Sequence, residues 1–303
     1  METKLPNFLI VGAPKSGTSS LHYYLKQHPE IYMSPVKEPR FITAQFIKFP
    51  LKGIRDDRLE KIIVKSFDEY KKLFSKVKNE KAIGEASIDN LYFYENAIKY
   101  IKKYLGEVRI IIILRNPIDR AFSAYQMFVR NLREPLSFED ALKAEQERKN
   151  NNWAFGWHYL SVGFYYKQVK AYLENFSQVK VYLFDDLKTD ALGVAKDIFM
   201  FLKVNMSFAP DVSHIYNISG IPKNRFIHNF LFRPVRYLRK NSEMNRFFLF
   251  EKKFCYFLET LMVSNLKKQR MKPETREYLK NLYREDILKL QDLIKRDLSH
   301  WLR

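Results

Sequence analysis

The run Val108–Leu114 constrains the fold more than any other part of the chain, because it contains four consecutive isoleucines and no alternation. A strand with one face in water alternates apolar and polar residues, whereas a strand covered on both faces does not. The run therefore predicts a parallel strand that lies inside a sheet with helices on both sides.

Four further short apolar runs predict strands, and helical patterns separate them along the chain. This alternation indicates an α/β class, a three-layer αβα arrangement with a central parallel sheet. With no repeat and no linker in the pattern, we expect residues 1–303 to form a single domain. The other predicted strands are 7–11, 31–33, 81–84 and 180–184, and the predicted helices are 18–27, 56–64, 67–77, 91–104, 117–131, 138–149, 157–175, 190–202 and 273–298.

The turn Gly12–Ser19 follows the first predicted strand and leads into a helix. Backbone N–H groups converge at such a turn and the helix dipole adds positive charge, so a phosphate is its natural ligand. A nucleoside-triphosphate P-loop places its lysine after the last glycine, whereas Lys15 precedes Gly17 here. The pattern favours a phosphate site that differs from a kinase loop, with an ordinary tight turn as the alternative.

Arg115 follows the isoleucine strand directly, and Ser123 lies eight residues further along the next predicted helix. Ligands of open α/β sheets bind at the carboxyl ends of the strands, where Arg115 emerges. A guanidinium and a hydroxyl suit a second phosphate, so the two motifs together predict a nucleotide phosphorylated in two places. An arginine at a strand end is equally often a structural ion-pair partner.

In order and at this spacing, the motifs resemble the sulfotransferase domain of heparan sulfate N- and O-sulfotransferases and their bacterial relatives. The resemblance runs over nearly the whole chain and implies the P-loop NTPase-like fold of that family. One departure concerns Ala86 and Ile88, where several relatives have a lysine and a proline. The matching segments are Pro14–Ser19, His28–Pro29, Lys37–Phe41, Leu114–Pro117, Arg120–Tyr125, Gly163–Tyr165, Phe184–Leu187 and the end of the chain at Trp301.

The resemblance implies 3′-phosphoadenosine 5′-phosphosulfate (PAPS) as co-substrate, with adenosine 3′,5′-bisphosphate (PAP) released and no metal required. Lys15 would stabilise the charge on the leaving oxygen during in-line transfer, and Glu38 would take the proton from the acceptor. Without the resemblance, Glu38 is more simply a loop carboxylate paired with Lys37 or Arg40. The residues implied for the nucleotide are Lys15, Ser16, Gly17, Thr18 and Ser19 at the 5′ side, Arg115 and Ser123 at the 3′-phosphate, and Gly220 and Lys223 in a closing loop; Glu38 and Tyr165 would contact the acceptor.

The chain carries 53 Lys and Arg against 34 Asp and Glu, a net charge of +19, which indicates an anionic partner. Residues 223–272 hold thirteen of these cations, three glutamates and ten Phe or Tyr residues. We expect this basic aromatic segment to be a helical cap over the sheet. A lid that attracts anionic glycans, or a peripheral contact with an anionic membrane, is the alternative.

Several other readings stay open at this stage. The favoured acceptor is a carbohydrate hydroxyl or amine, but a lipid, a steroid or another natural product is the alternative. A P-loop-like kinase would use Asp185 or Asp186 for Mg²⁺, although these residues also suit a helix start. A nucleic-acid binder would explain the charge but not the Lys15 turn, so we expect no nucleic-acid partner.

Because Cys255 is the only cysteine and no apolar leader or 20-residue apolar span is present, we expect a cytoplasmic protein.

Overall fold

The computed structural model describes residues 4–213, 220–223, 265–267 and 269–303. Within them, five strands form one parallel sheet, in which the first strand of the chain lies between the third and the fourth. This confirms the predicted α/β fold with a central parallel sheet. In chain order the strands are β1 (Phe8–Gly12), β2 (Ile31–Met33), β3 (Ala82–Glu85), β4 (Arg109–Leu114) and β5 (Val179–Leu183), and the spatial order is β2-β3-β1-β4-β5.

Helices connect the strands and cover both faces of the sheet. Their starts follow ordinary capping chemistry: the Asn116 side chain accepts the N–H of Ile118, and Ser137 accepts that of Asp140. The described helices are α1 (Thr18–Lys26), α2 (Phe41–Ala44), α3 (Asp57–Glu60), α4 (Phe67–Lys72), α5 (Tyr94–Leu105), α6 (Pro117–Arg130), α7 (Phe138–Lys143), α8 (Glu145–Asn150), α9 (Tyr165–Asn175), α10 (Phe184–Thr189), α11 (Ala191–Leu202) and α12 (Pro273–Ile294).

The isoleucine strand β4 contributes to two separate cores, as its lack of alternation predicts. Ile110, Ile112 and Leu114 pack in a core with side chains of α6, α9 and α12. Ile111 and Ile113 pack on the opposite face with side chains of α1 and α11. All five side chains are fully buried, so the sheet is the middle of three layers.

The helix predicted over 157–175 begins only at Tyr165, so the first part of that prediction is wrong. Two 3₁₀ turns, Phe155–Trp157 and Ser161–Gly163, precede it. The helix start is fixed by a partner from α12, because the Asp286 carboxylate accepts the N–H of Tyr165 at 2.7 Å. Such a cap from a distant element leaves no signal in the local sequence.

Other differences are smaller and concern the ends of elements. The helix predicted over 138–149 is divided at Ala144 into α7 and α8, and Phe184 begins a helix rather than ending strand β5. The helix predicted over 273–298 ends at Ile294, and a 3₁₀ turn then buries Trp301. The helices predicted over 56–64 and 67–77 are shorter, as α3 and α4.

The basic aromatic segment 223–272 falls almost entirely outside the described residues. Strand β6 (Ile221–Pro222) precedes it and pairs antiparallel with strand β7 (Leu266–Lys267), which belongs to the end of the segment. The predicted cap, lid or membrane contact therefore stays a prediction. None of the described helices combines the length and the hydropathy needed to cross a bilayer.

Candidate functional site

The turn between β1 and α1 requires glycine at one position. Gly17 caps the helix with φ 88°, in the left-handed region that favours glycine. A Cβ atom there would lie 3.0 Å from a methyl carbon of Leu187 and 3.1 Å from the Phe184 ring, so both side chains would have to shift slightly. Lys15 has φ 68° in the same turn. This backbone path brings the amino end of α1 to the carboxyl edge of the sheet, where an anion binds well.

Lys15 carries the cation of this turn in a partly buried position. Burial lowers the pKa of its ammonium group, and the positive charges of Arg130 and Arg115 lower it further, to about 7. Its Nζ lies 3.7 Å from the Met127 sulfur. An anion beside Lys15 would favour the charged form and raise this pKa. The site is therefore arranged to gain a proton on the lysine when an anion binds.

Arg115 reaches the same turn from the end of β4. Its Nη1 donates to the Lys15 carbonyl oxygen at 3.1 Å, and its guanidinium lies 4.9 Å from the centre of the Phe184 ring. The two predicted anion-binding motifs are thus in direct contact. The parallel sheet explains this, because β1 and β4 are neighbours and their carboxyl ends meet at one edge.

One face of helix α6, which follows Arg115 in the chain, forms the next part of the site. Arg120, Ser123, Ala124 and Met127 have the spacing i, i+3, i+4, i+7 and all line the same cleft. Arg120 was not predicted as a site residue, although its position three residues before Ser123 places both on the same face of a helix. Its side chain is almost fully buried and donates to the Tyr159 carbonyl.

These elements enclose a cleft of about 680 Å³, which we call the main cleft. Among the described residues, six cationic side chains and one carboxylate, that of Glu38, contribute to its wall, so its charge favours an anionic ligand. Its volume is in the range of ligand pockets, roughly 300–1,000 Å³. The residues that line it are Pro14, Lys15, Gly17, Thr18, Ser19, Ser20, Lys37, Glu38, Arg40, Leu59, Ile88, Arg115, Arg120, Ser123, Ala124, Met127, Phe128, Arg133, Ala154, Phe155, Gly156, Val162 and Phe184.

Glu38 faces the main cleft and forms ion pairs with two cationic side chains. Its carboxylate accepts from Lys37 at 2.6 Å and from Arg40 at 2.6 Å. Burial alone would raise the pKa of Glu38, but Lys37 and Arg40 outweigh it and lower the pKa to about 2. The pairing expected for a plain loop carboxylate is therefore present, yet the side chain lies in the wall of the cleft.

The remaining predicted residues divide into two groups. Thr18 and Ser19 line the main cleft beside Lys15, Gly17 and Ser123. The others do not contribute to its wall. Ser16 and Tyr165 are fully buried, Gly220 is buried against Leu266, and Lys223 is exposed with its N–H donating to the Asn265 carbonyl at 2.7 Å.

The side chains of Asp185 and Asp186 form ion pairs, and Asp186 also accepts a hydrogen bond at the start of α10. Asp186 accepts the N–H of Leu183 at 2.8 Å and pairs with Arg296 at 2.8 Å, while Asp185 pairs with Lys188 at 2.9 Å. These contacts agree with the helix-start interpretation. Across the described ranges, no three His, Cys, Asp or Glu side chains are grouped as a metal site.

Comparison with known proteins assigns a family to this fold and cleft. The model of the sulfotransferase family matches residues 6–208, about two thirds of the chain. A solved sulfotransferase from Alicyclobacillus acidocaldarius is 35% identical, with a TM-score of 0.79, and the match covers 99% of this chain and 100% of that one. The chain therefore belongs to the sulfotransferase family and is an enzyme of that family, as the resemblance predicted.

Two curated relatives match over part of the chain. The membrane-associated sulfotransferase kil1 of Dictyostelium discoideum is 33% identical over 152 residues, which are 47% of this chain and 28% of that protein. The human bifunctional heparan sulfate N-deacetylase/N-sulfotransferase 3 is 27% identical over 209 residues, which are 66% of this chain and 22% of that protein. The chain thus spans about a quarter of the length of these relatives.

Proposed function

We propose that this enzyme transfers a sulfuryl group from PAPS to a hydroxyl or amine of a carbohydrate acceptor, with release of PAP. One observation carries the proposal: the Lys15 turn and Arg115 are in contact at 3.1 Å within one cationic cleft. A ligand with an anionic group on each of two carbons of one ribose suits such a pair of sites. Thr18, Ser19 and Ser123 add hydroxyl groups to the wall, and these can donate hydrogen bonds to the phosphate oxygens of such a ligand.

Lys15 acts where negative charge grows during transfer. The bond from sulfur to the bridging oxygen breaks while the acceptor oxygen or nitrogen forms its bond to sulfur, and charge accumulates on the leaving phosphate. A partly buried ammonium beside that oxygen stabilises the transition state more than the ground state. Arg115 and Ser123 hold the other phosphate and so fix the donor for in-line attack. Backbone N–H groups of the turn, that of Ser16 included, would serve the 5′ side.

Glu38 is the proposed general base, and its ion pairs set a condition on that role. A carboxylate with a pKa of about 2 is a weak base, so its pairing with Lys37 and Arg40 must loosen before it accepts a proton efficiently. Lys37 lines the main cleft beside Glu38, so an anionic donor group bound there would compete with Glu38 for its ammonium group. We propose that donor binding draws Lys37 away and raises the basicity of Glu38.

A carbohydrate acceptor is proposed from the cleft and from the family. The human relative named above is a heparan sulfate N-sulfotransferase, which makes an amine or hydroxyl of a glycan the first acceptor to test. The wall of the main cleft beyond the donor side combines Phe128 and Phe155 with Arg133. Tyr165 as an acceptor contact, Gly220 and Lys223 as a closing loop, the single-domain organisation and the cytoplasmic location stay predictions.

Differential scanning fluorimetry tests the proposal against the kinase alternative. PAP should raise the melting temperature in the presence of EDTA, because the described cleft offers cations and hydroxyls to both phosphates. ATP with Mg²⁺ should have the smaller effect, since Asp185 and Asp186 already have partners. A larger shift with ATP and Mg²⁺ than with PAP would overturn the proposal. A shift with single-stranded DNA equal to that with PAP would favour the nucleic-acid alternative.

Proton uptake on PAP binding provides a second check. The pKa of Lys15 is about 7 before binding, so at pH 8 most molecules carry a neutral lysine. A bound anion raises that pKa, and a proton must be taken up; at pH 6 the lysine is already charged and little uptake is expected from it. Titration calorimetry in buffers of different ionisation enthalpy measures this. Lys15→Arg, which stays charged throughout, should show no uptake at pH 8, and equal uptake in both proteins would contradict the assignment.

A further inference from the structure

The loop that carries Glu38 contains two residues in a strained backbone conformation. In residues 37–40, which we call the Glu38 loop, φ is 61° at Glu38 and 55° at Arg40, both in the left-handed region. A residue with a Cβ atom keeps this conformation only where the surrounding contacts determine it. Helix α2 begins directly after Arg40, so contacts to the Arg40 backbone fix how the loop enters that helix.

The residues that follow strand β3 provide such a contact. The backbone N–H of Arg40 donates to the Ser87 hydroxyl at 3.0 Å, and this hydroxyl donates to a carboxyl oxygen of Glu85 at 2.9 Å. Ser87 and Glu85 are each 1% exposed, so water does not compete for these bonds. The hydroxyl has one proton, and because Glu85 accepts it, an oxygen lone pair of Ser87 faces the N–H of Arg40.

Strand geometry explains why these two side chains reach the Glu38 loop together. Successive residues of an extended segment point to opposite faces, so Glu85 and Ser87 share one face and Ala86 points to the other. Ala86 is fully buried in the core on that other face, with Ile111 and Ile113. The end of β3 therefore presents a carboxyl group and a hydroxyl group to the loop.

Arg40 connects this buried pair to the main cleft. Its Nη2 donates to the Glu38 carboxylate at 2.6 Å, and its carbonyl oxygen accepts the N–H of Ala44 at 3.0 Å in the first turn of α2. The backbone of Arg40 is thus held on both sides, by Ser87 and by the helix. A continuous series of hydrogen bonds runs from Glu85 through Ser87 and Arg40 to Glu38.

We propose that Ser87 and Glu85 are positioning residues for Glu38: their hydrogen bonds fix the Arg40 backbone, and Arg40 directs the Glu38 carboxylate into the main cleft. This rests on the proposed function, in which Glu38 is the general base. Neither Ser87 nor Glu85 lines the main cleft, so both act through Arg40. A displacement of a reacting group by about 1 Å can lower a rate roughly 10²-fold, so a fixed loop has a direct effect on catalysis.

Ser87→Ala tests the inference by leaving the buried N–H of Arg40 without its acceptor. We expect kcat to fall by about 10- to 10²-fold while PAP affinity stays the same. The assay follows PAP release from PAPS with the fastest acceptor of a panel of 4-nitrophenyl glycosides, or with water if none reacts. A kcat within a fewfold of the wild type in Ser87→Ala would overturn the inference.

Thr275→Val is the matched control for the loss of a buried hydroxyl group. Thr275 is 7% exposed and donates to Glu139 at 2.7 Å outside the main cleft. Its replacement removes the same kind of hydrogen bond, from a hydroxyl to a carboxylate, and valine keeps the shape of the side chain. The control should keep kcat, and thermal unfolding shows whether it and Ser87→Ala are destabilised alike. An equal fall of kcat in both variants would contradict a specific role for Ser87.

A double-mutant cycle separates positioning of Glu38 from a general structural role. In the Glu38→Gln background, Ser87→Ala should have little further effect on kcat, because the group that it positions no longer accepts a proton. The same fold-loss in both backgrounds would overturn the inference. Full activity of Glu38→Gln alone would instead refute the proposed role of Glu38, so the two failures are distinguishable.

Glu85 provides a second pair of variants, which keeps the test available if Ser87→Ala does not fold. Burial, together with the negative charges of Asp89 and Glu38, raises the pKa of Glu85 to about 8, although the hydrogen bond from Ser87 opposes this. Glu85→Gln has nearly the shape of the protonated acid and still accepts from Ser87, so it should retain kcat at pH 7. Glu85→Met lacks that oxygen, and its kcat should fall as in Ser87→Ala. Equal activity of the two Glu85 variants would contradict the role of the hydrogen bond.

Hydrogen exchange measures the loop without an acceptor. In PAP-loaded protein, the peptide that contains Arg40 should exchange about two- to tenfold faster in Ser87→Ala and Glu85→Met than in the wild type, as the loss of one neutral hydrogen bond predicts. Thr275→Val and Glu85→Gln should exchange at the wild-type rate. Unaltered exchange in Ser87→Ala and Glu85→Met would show that these bonds do not hold the loop.

Discussion

Replacement of Lys15 by methionine is expected to lower kcat by about 10²–10³-fold, the usual cost of removing one group that stabilises developing charge. Methionine keeps the length and much of the volume of the side chain, so the packing near Met127 should persist. The ammonium group is disfavoured by burial in the folded state, which lowers its pKa to about 7. Below that pH, folding must bury a charged lysine, and the variant should therefore unfold at no lower temperature than the wild type at pH 6.

Steady-state kinetics with saturating PAPS and thermal unfolding measure these two effects. Lys26→Met is a matched control, because Lys26 lies exposed in the last turn of α1, and it should retain activity. A Lys15→Met enzyme with kcat within a fewfold of the wild type would remove Lys15 from the chemistry. Loss of activity together with a large loss of stability would indicate a structural role instead.

Glu38→Gln is the second variant with a large expected effect, a fall in kcat of roughly 10²–10⁴-fold if Glu38 is the general base. Glutamine has nearly the same shape, but it neither takes up the proton nor pairs with Lys37 and Arg40 as a charge. PAP affinity should stay the same or increase, since a negative charge leaves a cleft that binds an anion. The combination of lower kcat and undiminished PAP binding separates catalysis from misfolding.

A control for the loss of an ion-paired carboxylate is Glu30→Gln. Glu30 pairs with Lys81 at 2.5 Å outside the main cleft, so this change should leave kcat unaltered. The wild-type enzyme should also show no loss of kcat/KM from Glu38 protonation above about pH 4, because the pKa of Glu38 in the free enzyme is about 2. Normal activity in Glu38→Gln would assign proton removal to another group.

The sequence contains enough information to predict the sheet and the contact between its two anion motifs. The four isoleucines of β4 fix a strand covered on both faces, and neighbouring parallel strands then bring Arg115 to the Lys15 turn. The first inference uses only periodicity, and the second also needs the spatial order of the strands, in which β1 lies beside β4. For this reason they do not depend on the details of side-chain packing.

The environment of single side chains was less predictable. The sequence suggests that Glu38 pairs with Lys37 or Arg40, but that it pairs with both depends on the loop backbone, with φ 61° at Glu38 and 55° at Arg40. Tyr165 is aromatic and polar, which suits an acceptor site as well as a core, and the structure buries it fully. The wall of the main cleft joins Arg40 to Ala154 and Phe155, which lie more than a hundred residues apart in the chain and so beyond the reach of periodicity.

The central claim is that one cleft binds two anionic groups of the same nucleotide, the second of them through Arg115. Titration calorimetry of PAP and of adenosine 5′-monophosphate, with the wild-type protein and with Arg115→Ala, measures this directly. A charge-assisted contact of about 1.5–3 kcal/mol predicts that the wild type prefers PAP by about 10- to 150-fold and that the variant loses most of this preference. Equal affinity of the wild type for both nucleotides, or an unchanged preference in Arg115→Ala, would contradict the account.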